Sequence, residues 1–532
     1  EDGMTSDNTW DAPWVSVTQQ TDFGYTVEVS ISLDTLQYAA GDDTTWGINF
    51  GRSRRRTLER SYWSWPVDHW GRMSQAGDLI GLNLPSPARR HQVIPYALSQ
   101  AQEGGSLDAS IGLDARYALT PQTSAYVTVN PDFATIEADQ EEINLTRFEL
   151  NLSEKRQFFI EGQELFGQRI RTFYSRRIGD ISGGAKVLGT QGGWNFAGLS
   201  AQGELQGSTT RANYTVARVR RDVATRSNLG FMLANRSHDG RQQGSVEIDA
   251  NLFFTEHFGF TGQFVKSYGE HEKGTVAFFA RPSYDSPTAH AHVRITHLGD
   301  RVADNINAVG FIRDDDRREI DGAVRKTLWV RGGAIERLQY GSNYNIYWGQ
   351  AGLLRSWKVD ESLEFDWRNR WSTSVSHTEE FKRFEKDFRN RQTKVELGYN
   401  TRSYESVRGG YSFGRNFDAD FKLLSAAANY TVTKEFSVEY ELQRLELDPD
   451  PENESTWIHV LRANQFFTPD LFLRVFFQTN SAIDRRNMQA VFVYRYLPPF
   501  GTVQVAYQRG TAKFGERSNQ GNTLFVKITT VL

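Results

Sequence analysis

Charged residues are concentrated between residues 131 and 167 and just beyond them. This segment lacks strand-like alternation and contains helix-compatible stretches such as 137–150. Carboxylate and basic side chains held across a narrow passage form ion pairs that set its size and selectivity. The candidate residues for such a constriction are Asp132, Glu137, Asp139, Glu141, Glu142, Glu154, Lys155, Arg156, Glu161, Arg176 and Arg177. A purely mechanical plug, with these charges satisfying one another, is the alternative, and both interpretations stay open.

A second candidate site is a group of aromatic residues in a loop-like stretch near the N-terminus. It consists of Tyr62, Trp63, Trp65 and Trp70, preceded by the arginines Arg52, Arg54, Arg55, Arg56 and Arg60. Aromatic faces stack on sugars while nearby polar groups bind the hydroxyls, which makes the four aromatic residues candidate glycan contacts. The alternative is that they pack the N-terminal region against the rest of the chain.

Catalytic and metal-binding patterns are sparse. His290 and His292 share one face of a strand, where two imidazoles could bind a metal, but a polar wall is the commoner use of such a pair. The Gly-x-Ser-x-Gly string at 410–414 lacks the following helix that a nucleophile elbow requires. We therefore predict no catalytic residue, no metal and no cofactor, and expect that the chain is not an enzyme. A membrane-embedded hydrolase is kept as an alternative, because a sequence cannot pair distant residues.

These residues must be positioned by strands. From about residue 91 onward, segments of roughly ten residues alternate apolar and polar side chains, which is the period of a β-strand. One segment places Val438, Tyr440 and Leu442 on one face and Glu439 and Glu441 on the other. Large aromatic side chains opposite full charges are typical of a wall between lipid and a wet interior.

Turn lengths favour a transmembrane barrel. Short turns at Val432-Thr433-Lys434, Thr468-Pro469-Asp470 and Pro498-Pro499-Phe500 alternate with longer polar loops at 448–454, 481–486 and 511–522. Short periplasmic turns and long extracellular loops are the pattern of outer-membrane barrels, and the spacing predicts about 24 to 26 strands. The predicted fold is all-β, a large antiparallel transmembrane β-barrel over residues 91–532, porin-like in general architecture.

Composition narrows the partners and the location. Lys+Arg 61 against Asp+Glu 65 gives a net charge of −4, which argues against nucleic acid, and the count of cysteine is 0, which excludes disulfides and thiolate metal sites. The expected location is the outer membrane of a Gram-negative bacterium, with outer-membrane lipids and lipopolysaccharide as neighbours. No signal peptide is visible at Glu1-Asp2-Gly3-Met4, so the chain is expected to be mature or to start late.

The charged segment has a predicted position within this barrel. If 123–130 is the third strand, the connection that follows is extracellular in origin, because odd strands rise from the periplasm. A connection of this length is either a lid or an inward-folded constriction. We expect residues 131–167 to fold into the lumen as an inserted plug or constriction.

Several motifs carry a resemblance to a known family. They include 129–133 (Val-Asn-Pro-Asp-Phe), 154–162 (Glu-Lys-Arg-Gln-Phe-Phe-Ile-Glu-Gly), 173–179, 310–313 and 467–471. In these the chain resembles an uncharacterised family of outer-membrane barrels, a domain of unknown function, that follows a carbohydrate-binding family-9-like module. The resemblance implies the fold and the compartment but no substrate.

The N-terminal region, residues 1–85, resembles the closing strands of that module. Alternation over 25–32 predicts one strand, and 46–50 predicts a second. A complete β-sandwich needs on the order of a hundred residues. The region is therefore expected to be a partial β-sandwich on the periplasmic side.

The resulting functional hypothesis is passage or capture of a polar solute, with a glycan as the candidate that the N-terminal resemblance suggests. The alternatives are a structural or docking barrel that holds partner proteins at the outer membrane, and the hydrolase already named. The solute itself, the exact strand number and the oligomeric state do not follow from the sequence.

Overall fold

The computed structural model describes most of the chain. The described residues are 14–33, 36, 38, 40–54, 59–64, 76–85, 91–105, 107–131, 139–140, 142–205, 207–224, 227–450, 455–498, 501–510 and 521–532. Within these ranges, no helix has the length and apolar character needed to span a membrane.

The described N-terminal residues form three separate two-stranded sheets. Their strands are β1 (Trp14–Thr21), β2 (Gly24–Ile31), β3 (Gly41–Ile48), β4 (Gly51–Arg54), β5 (Glu59–Tyr62) and β6 (Gly77–Leu84). β1 pairs with β2, β3 with β6 and β4 with β5. The two strands predicted from alternation correspond to β2 and β3. The partial β-sandwich as a domain stays a prediction.

The rest of the chain forms a closed antiparallel barrel of 24 strands, which confirms the predicted fold class. Its first twelve strands are β7 (His91–Gln102), β8 (Leu107–Thr120), β9 (Thr123–Val129), β10 (Ile178–Gln191), β11 (Trp194–Leu205), β12 (Arg211–Ala224), β13 (Ser227–His238), β14 (Arg241–Phe253), β15 (Phe258–Tyr268), β16 (Val276–Ser286), β17 (Ala289–Leu298) and β18 (Arg317–Trp329).

The remaining twelve strands complete the circle. They are β19 (Ile335–Trp348), β20 (Leu354–Trp367), β21 (Trp371–Arg383), β22 (Asp387–Tyr399), β23 (Ser406–Asn416), β24 (Ala419–Thr431), β25 (Phe436–Asp448), β26 (Thr456–Thr468), β27 (Leu471–Asn480), β28 (Arg485–Leu497), β29 (Gly501–Gly510) and β30 (Gly521–Thr529). The barrel closes where β30 pairs with β7, with Lys527 opposite Leu98. Closure leaves no unpaired sheet edge.

The outer face of the barrel is apolar. Phe231, Ile248, Phe264 and Phe278 lie in register on β13 to β16, and all four are exposed. Residues one position along these strands point inward, because side chains alternate across a sheet. An outward apolar surface of this kind is typical of a barrel whose outer face contacts the hydrocarbon of a membrane.

The connections divide between two ends. β7 begins and β30 ends at what we term the terminal end, because the number of strands is even, and the opposite end is termed the plug end. The turns between β24 and β25, β26 and β27, and β28 and β29 lie at the terminal end, as their short lengths predict. β9 is the third barrel strand, so the connection from β9 to β10 leaves from the plug end, as predicted.

In the described part of the barrel, the α-helices lie in two plug-end connections, and a short 3-10 turn, Ser481–Ile483, lies in the connection between β27 and β28. Between β9 and β10 lie α1 (Gln157–Ile160), α2 (Gln163–Phe166) and a 3-10 turn at Ser175–Arg177; between β17 and β18 lies α3 (Val302–Ile306). The helix-compatible stretch 137–150 contains no helix at its described residues. Its side chains instead contact the barrel wall, so tertiary contacts override the local propensity.

Candidate functional site

The connection between β9 and β10 contacts inward side chains of the barrel wall on two sides, and it has two parts. Residues 153–177, here called the plug body, lie against the wall of β10 to β18. Residues 139–140 and 142–152, here called the arm, contact the opposite wall. These two parts differ in how they are held.

The plug body is packed into an apolar core. Phe159 and Phe166 are buried, and Phe158 lies edge-on to Phe159 with ring centroids 5.1 Å apart. The wall contributes buried inward side chains from β10 to β13: Ile178, Ile181, Ala197, Leu199, Ala201, Ala212, Tyr214, Val216, Met232 and Ala234. Burial of two phenylalanines against such a surface contributes several kcal/mol, roughly 1.5–3 for each side chain.

Arg156 is the polar centre of the plug body. Its side chain is 1% exposed, and its guanidinium donates to the carbonyl oxygens of Ser175 (2.7 Å), Ile178 (2.7 Å) and Gly179 (3.0 Å). It also donates to both carboxylate oxygens of Glu154, at 2.9 and 2.8 Å. Burial acts to raise the pKa of Glu154, but the hydrogen bonds and charge of Arg156 outweigh it and lower that pKa. A buried arginine with its donors satisfied in this way fixes the path of the chain into β10.

Side chains of the barrel wall form hydrogen bonds with the plug body. Lys186 on β10 donates from Nζ to the carbonyl oxygens of Phe158 (2.6 Å) and Glu161 (2.7 Å). Gln263 on β15 accepts from the Ile170 N–H and donates to the Ile170 carbonyl oxygen, both at 2.9 Å. The Thr172 hydroxyl donates to Glu247 on β14 at 2.6 Å. The main chain of the plug body is therefore held at defined places on β10, β14 and β15.

A second connection folds inward and covers the plug body. This inner loop, residues 299–316, carries α3, whose Val302 and Ile306 are fully buried. The N–H of Tyr174 donates to the Val309 carbonyl oxygen and the N–H of Phe311 donates to that of Arg171, both at 2.8 Å. The sequence analysis did not predict this loop as part of the plug, although the family motif 310–313 lies within it.

Gly310 explains part of that motif. A Cβ atom at this position would lie 2.5 Å from the Arg171 carbonyl oxygen and 2.7 Å from that of Thr172. Backbone cannot move aside as a flexible side chain can, so only glycine allows the inner loop to approach the plug body this closely.

The arm crosses to the opposite wall and is held there mainly by hydrogen bonds. Gln140 donates to Glu441 on β25 (2.8 Å) and accepts from Arg462 on β26 (3.0 Å). Gln478 on β27 donates to the Asp139 carbonyl oxygen at 3.0 Å. The one apolar contact among the described residues of this part of the arm joins Ile143 to a small cluster on β26 and β27, formed by Ile458, Val460 and Phe476.

Further along the arm, Arg147 lies at the plug-end rim. It donates to both carboxylate oxygens of Glu385, at 2.8 and 3.0 Å, in the connection between β21 and β22. Its guanidinium also lies over the rings of three phenylalanines, with centroid distances of 5.1, 4.9 and 4.5 Å to Phe384, Phe388 and Phe417. The hydrogen bonds from Arg147 lower the pKa of Glu385. The contact is exposed, so water competes for it.

The predicted constriction residues are distributed over both parts. Asp139 pairs with Arg176 and lies 3.8 Å from Lys155, and Arg177 pairs with Glu149 at 2.7 Å. Glu161 contributes its carbonyl oxygen to Lys186, and Glu142 is exposed. Asp132, Glu137 and Glu141 lie outside the described residues. Several of the predicted charges thus meet within the lumen, and their role in selectivity stays a prediction.

The N-terminal aromatic group is only partly described. Trp63 is 61% exposed and its ring lies edge-on to Phe50, with centroids 5.9 Å apart; Tyr62 ends β5. Trp65 and Trp70 lie outside the described residues. Glycan contact through these residues stays a prediction.

The histidine pair faces the lumen in a chain of polar contacts. His290 Nδ1 lies 2.5 Å from Asp285 Oδ1, His290 Nε2 lies 2.9 Å from His292 Nδ1, and His292 Nε2 lies 3.3 Å from Asp321 Oδ1. In the described part of the chain, no group of three His, Asp or Glu side chains could hold a metal ion. The Gly-x-Ser-x-Gly string lies within β23, where no helix follows it.

The wall of β20 to β25 differs from the wall behind the plug body. Ser372, Ser374 and Ser376 face the lumen from β21, opposite the exposed outward side chains Trp371 and Val375. Inward hydroxyls on neighbouring strands are Ser362, Ser406, Ser412 and Ser425. Inward charges occur there as pairs two residues apart: Lys358 with Asp360, Lys382 with Glu380 and Lys394 with Glu396.

Comparison with known proteins gives one family match over part of the chain and several similar solved structures. Residues 87–191 match a family described as a domain of unknown function, DUF5916, and this range spans β7 to β10 with the whole plug connection. The match begins beyond the N-terminal sheets, so the link to a carbohydrate-binding module stays a prediction. Among curated proteins, none matches the chain.

Several solved structures from Pseudomonas aeruginosa, one of them described as an outer-membrane protein, are similar over most of the chain. The siderophore receptor PirA is 8% identical, with 86% of this chain and 83% of that chain covered and a TM-score of 0.38. The outer-membrane protein OprD is 10% identical, with 84% and 95% covered and a TM-score of 0.30. OpdO is 8% identical, with 83% and 96% covered and a TM-score of 0.33.

Proposed function

We propose that this chain is an outer-membrane β-barrel that passes a polar solute along the wall of β20 to β25, with the arm as the constriction. The outer membrane is the proposed location because the barrel is closed and its outward surface is apolar. The N-terminal region is proposed to lie on the periplasmic side, at the terminal end, where β7 begins.

The observation that carries the proposal is the one-sided filling of the lumen. The plug body and inner loop share two buried apolar clusters with β10 to β17. The described contacts of the arm with β21 to β27 and their connections are hydrogen bonds, the ion pair and ring contacts of Arg147, the contact of Phe148 with Phe384, and one small apolar cluster around Ile143. The lumen of a 24-stranded barrel is wider than one plug segment. Because the plug body fills the side of β10 to β17, the passage for the solute is proposed on the opposite side.

The chemistry of that wall supports a polar, hydroxyl-bearing solute. Serine hydroxyls both donate and accept, so they replace water around a passing polar molecule at little cost. The paired lysine and carboxylate groups add charge of both signs without a strong net field. A glycan fits these properties, and Tyr62 and Trp63 are the proposed contacts for it outside the barrel.

The arm, rather than the plug body, is proposed as the movable part. The ion pair of Arg147 with Glu385 is exposed, and the other hydrogen bonds of the arm to the wall are partly buried. Such polar contacts contribute little to stability, because water offers equivalent partners once they open. Buried aromatic packing of the kind around Phe159 contributes much more. Detaching residues 142–152 from the wall therefore requires less free energy than detaching the plug body.

Replacing residues 139–150 with a Gly-Ser linker of equal length tests the proposal, because it removes the contacts of the arm and keeps the chain connected. Single-channel conductance in planar bilayers should rise above that of the unmodified chain. A matched control replaces the plug-end loop 481–484 in the same way and should leave conductance unchanged. If both the unmodified chain and the linker variant stay closed, passage is the wrong function.

A further inference from the structure

Three arginines face the lumen and have no carboxylate partner among the described residues. They are Arg169 on the plug body, Arg281 on β16 and Arg325 on β18. Arg281 faces inward because it shares a strand face with Ser283, which lies opposite His292; Arg325 lies directly opposite His290. In the described part of the chain, no carboxylate oxygen lies within 4 Å of any of the three guanidinium groups.

The nearby carboxylates are already occupied. Asp285 contacts His290, and Asp321 contacts both Arg294 and His292. Glu319 accepts from Arg317 at 3.0 Å and also from Asn345. The cations therefore outnumber the free carboxylates on this part of the wall, which is unfavourable unless another anion is present.

Arg169 and Arg281 approach each other from different elements, and Arg325 lies opposite His290, which contacts Arg281. Ile170, the neighbour of Arg169 in the chain, is hydrogen-bonded to Gln263 and therefore lies against β15. Gln263 is in turn opposite Phe279 on β16. Arg281 is the next inward residue of β16 toward the terminal end. Its one contact, from Nη2 to His290 Nε2, is 3.5 Å long and too weak to occupy its donors.

Arg169 is also electrostatically coupled to this wall. Its side chain is accessible in the lumen but surrounded by protein, and this desolvation lowers its pKa. The charges of Asp321 and Glu319 oppose that shift, and those of Arg281 and Arg317 add to it. A bound anion would remove the repulsion between the arginines.

We propose that Arg169, Arg281 and Arg325 form a binding site for an anionic group, a carboxylate or a phosphate, on the solute. Guanidinium groups present paired donors that match the oxygens of both anions. The site lies on the terminal-end side of the plug body. The inference rests on the proposed passage, and it narrows the polar solute to one that carries negative charge.

Titration of the purified protein with inorganic pyrophosphate by calorimetry tests the site without requiring conductance. Arg281→Gln and Arg325→Gln should each weaken binding about tenfold, because each removes charge-assisted hydrogen bonds to the anion. The triple variant, which adds Arg169→Gln, should abolish binding. Arg495→Gln is the matched control: Arg495 also faces the lumen near the terminal end, on β28, with its guanidinium over the Phe472 ring.

Two results would overturn the site. One is absence of pyrophosphate binding to the unmodified protein, and the other is equal weakening by Arg281→Gln and Arg495→Gln, which would mean a diffuse lumen charge. Failure of the site and failure of passage are separable. Binding without conductance contradicts passage and keeps the site, whereas conductance without binding contradicts the site and keeps passage.

Discussion

The two sides of the lumen are built on different principles. On the side of β10 to β18, aromatic side chains, a fully bonded arginine and a second inward loop fill the space against the wall. On the side of β20 to β27, small hydroxyls, paired charges and an arm held mainly by polar contacts meet the same lumen. The same connection supplies both the fixed plug body and the arm.

The difference separates two requirements of a gated passage. A constriction must be positioned accurately, which calls for a rigid attachment, and it must move at low cost, which calls for weak contacts. Here the rigid attachment lies in residues 153–177 and the weak contacts lie in residues 139–152. Substitutions should therefore act on stability on one side and on conductance on the other.

The largest expected effect is that of Arg156→Ala. It leaves the buried Glu154 carboxylate without its partner and three carbonyl oxygens without their donor, which should destabilise the plug body by about 3–5 kcal/mol. Hydrogen exchange of residues 153–177 measures the effect. Arg156→Lys keeps the charge but loses the paired guanidinium donors, so its exchange rate should lie between those of the unmodified protein and Arg156→Ala. An unchanged exchange rate in Arg156→Ala would contradict the central role of this residue.

A matched pair of phenylalanines compares the two sides directly. Phe159→Ala empties a buried site and should cost about 3 kcal/mol in the same exchange measurement. Phe148→Ala removes a ring on the arm, whose contact with Phe384 has a centroid distance of 6.3 Å, and should cost about 1 kcal/mol or less. Equal costs would mean that the arm is packed as firmly as the plug body.

Arg147→Ala should change conductance and leave the stability of the plug body unchanged. The substitution removes the bond to Glu385 and the three ring contacts at the rim, so the arm should leave the wall more often. Single-channel recordings should show longer or larger openings. A loss of hydrogen-exchange protection in residues 153–177 would show instead that arm and plug body unfold together.

Acidification should have the smallest effect on conductance, and it should act through the contact of the arm with Glu385. Because Arg147 lowers the pKa of Glu385, their contact is fully formed above the pKa of an unfolded glutamate, about 4.3. It is lost as the pH falls through the lower folded value. Conductance of the unmodified chain should therefore rise below about pH 4 toward that of Arg147→Ala, which itself should respond less to pH. Equal pH responses would exclude Glu385 as the titrating group.

Much of this architecture follows from the sequence. The alternation of apolar and polar side chains in segments such as 436–448, and short turns such as 498–500, predicted the barrel. Strands that are apolar on the face toward lipid are compatible with few folds other than a closed barrel. The strand count alone predicts that the β9 to β10 connection leaves from the plug end, whereas its entry into the lumen was expected because the family resemblance is strongest in this segment. Arg176 and Arg177 were predicted to meet carboxylates there, and their partners are Asp139 and Glu149.

Other features depended on contacts that no local pattern encodes. The helix-compatible composition of 142–150 gives no helix, because the segment contacts residues some 300 positions away, such as Gln443. Residues 299–316 contain apolar side chains that are unusual for a polar loop, namely Val302, Ile306, Val309, Phe311 and Ile312. Where these side chains pack was not predictable, because it depends on the fit of Gly310 against Arg171 and Thr172. The unpaired state of Arg281 and Arg325 is visible only once the neighbouring carboxylates are assigned to other partners.

The most direct test of the central claim closes the arm by a covalent tether. The chain contains no cysteine, so Arg147→Cys with Glu385→Cys places the only two thiols across the rim, where a short bis-maleimide can join them. Conductance should be high before the reagent is added and fall after cross-linking, while Glu385→Cys alone should not respond. Conductance that is unchanged by the cross-link would contradict an arm that gates the passage along β20 to β25.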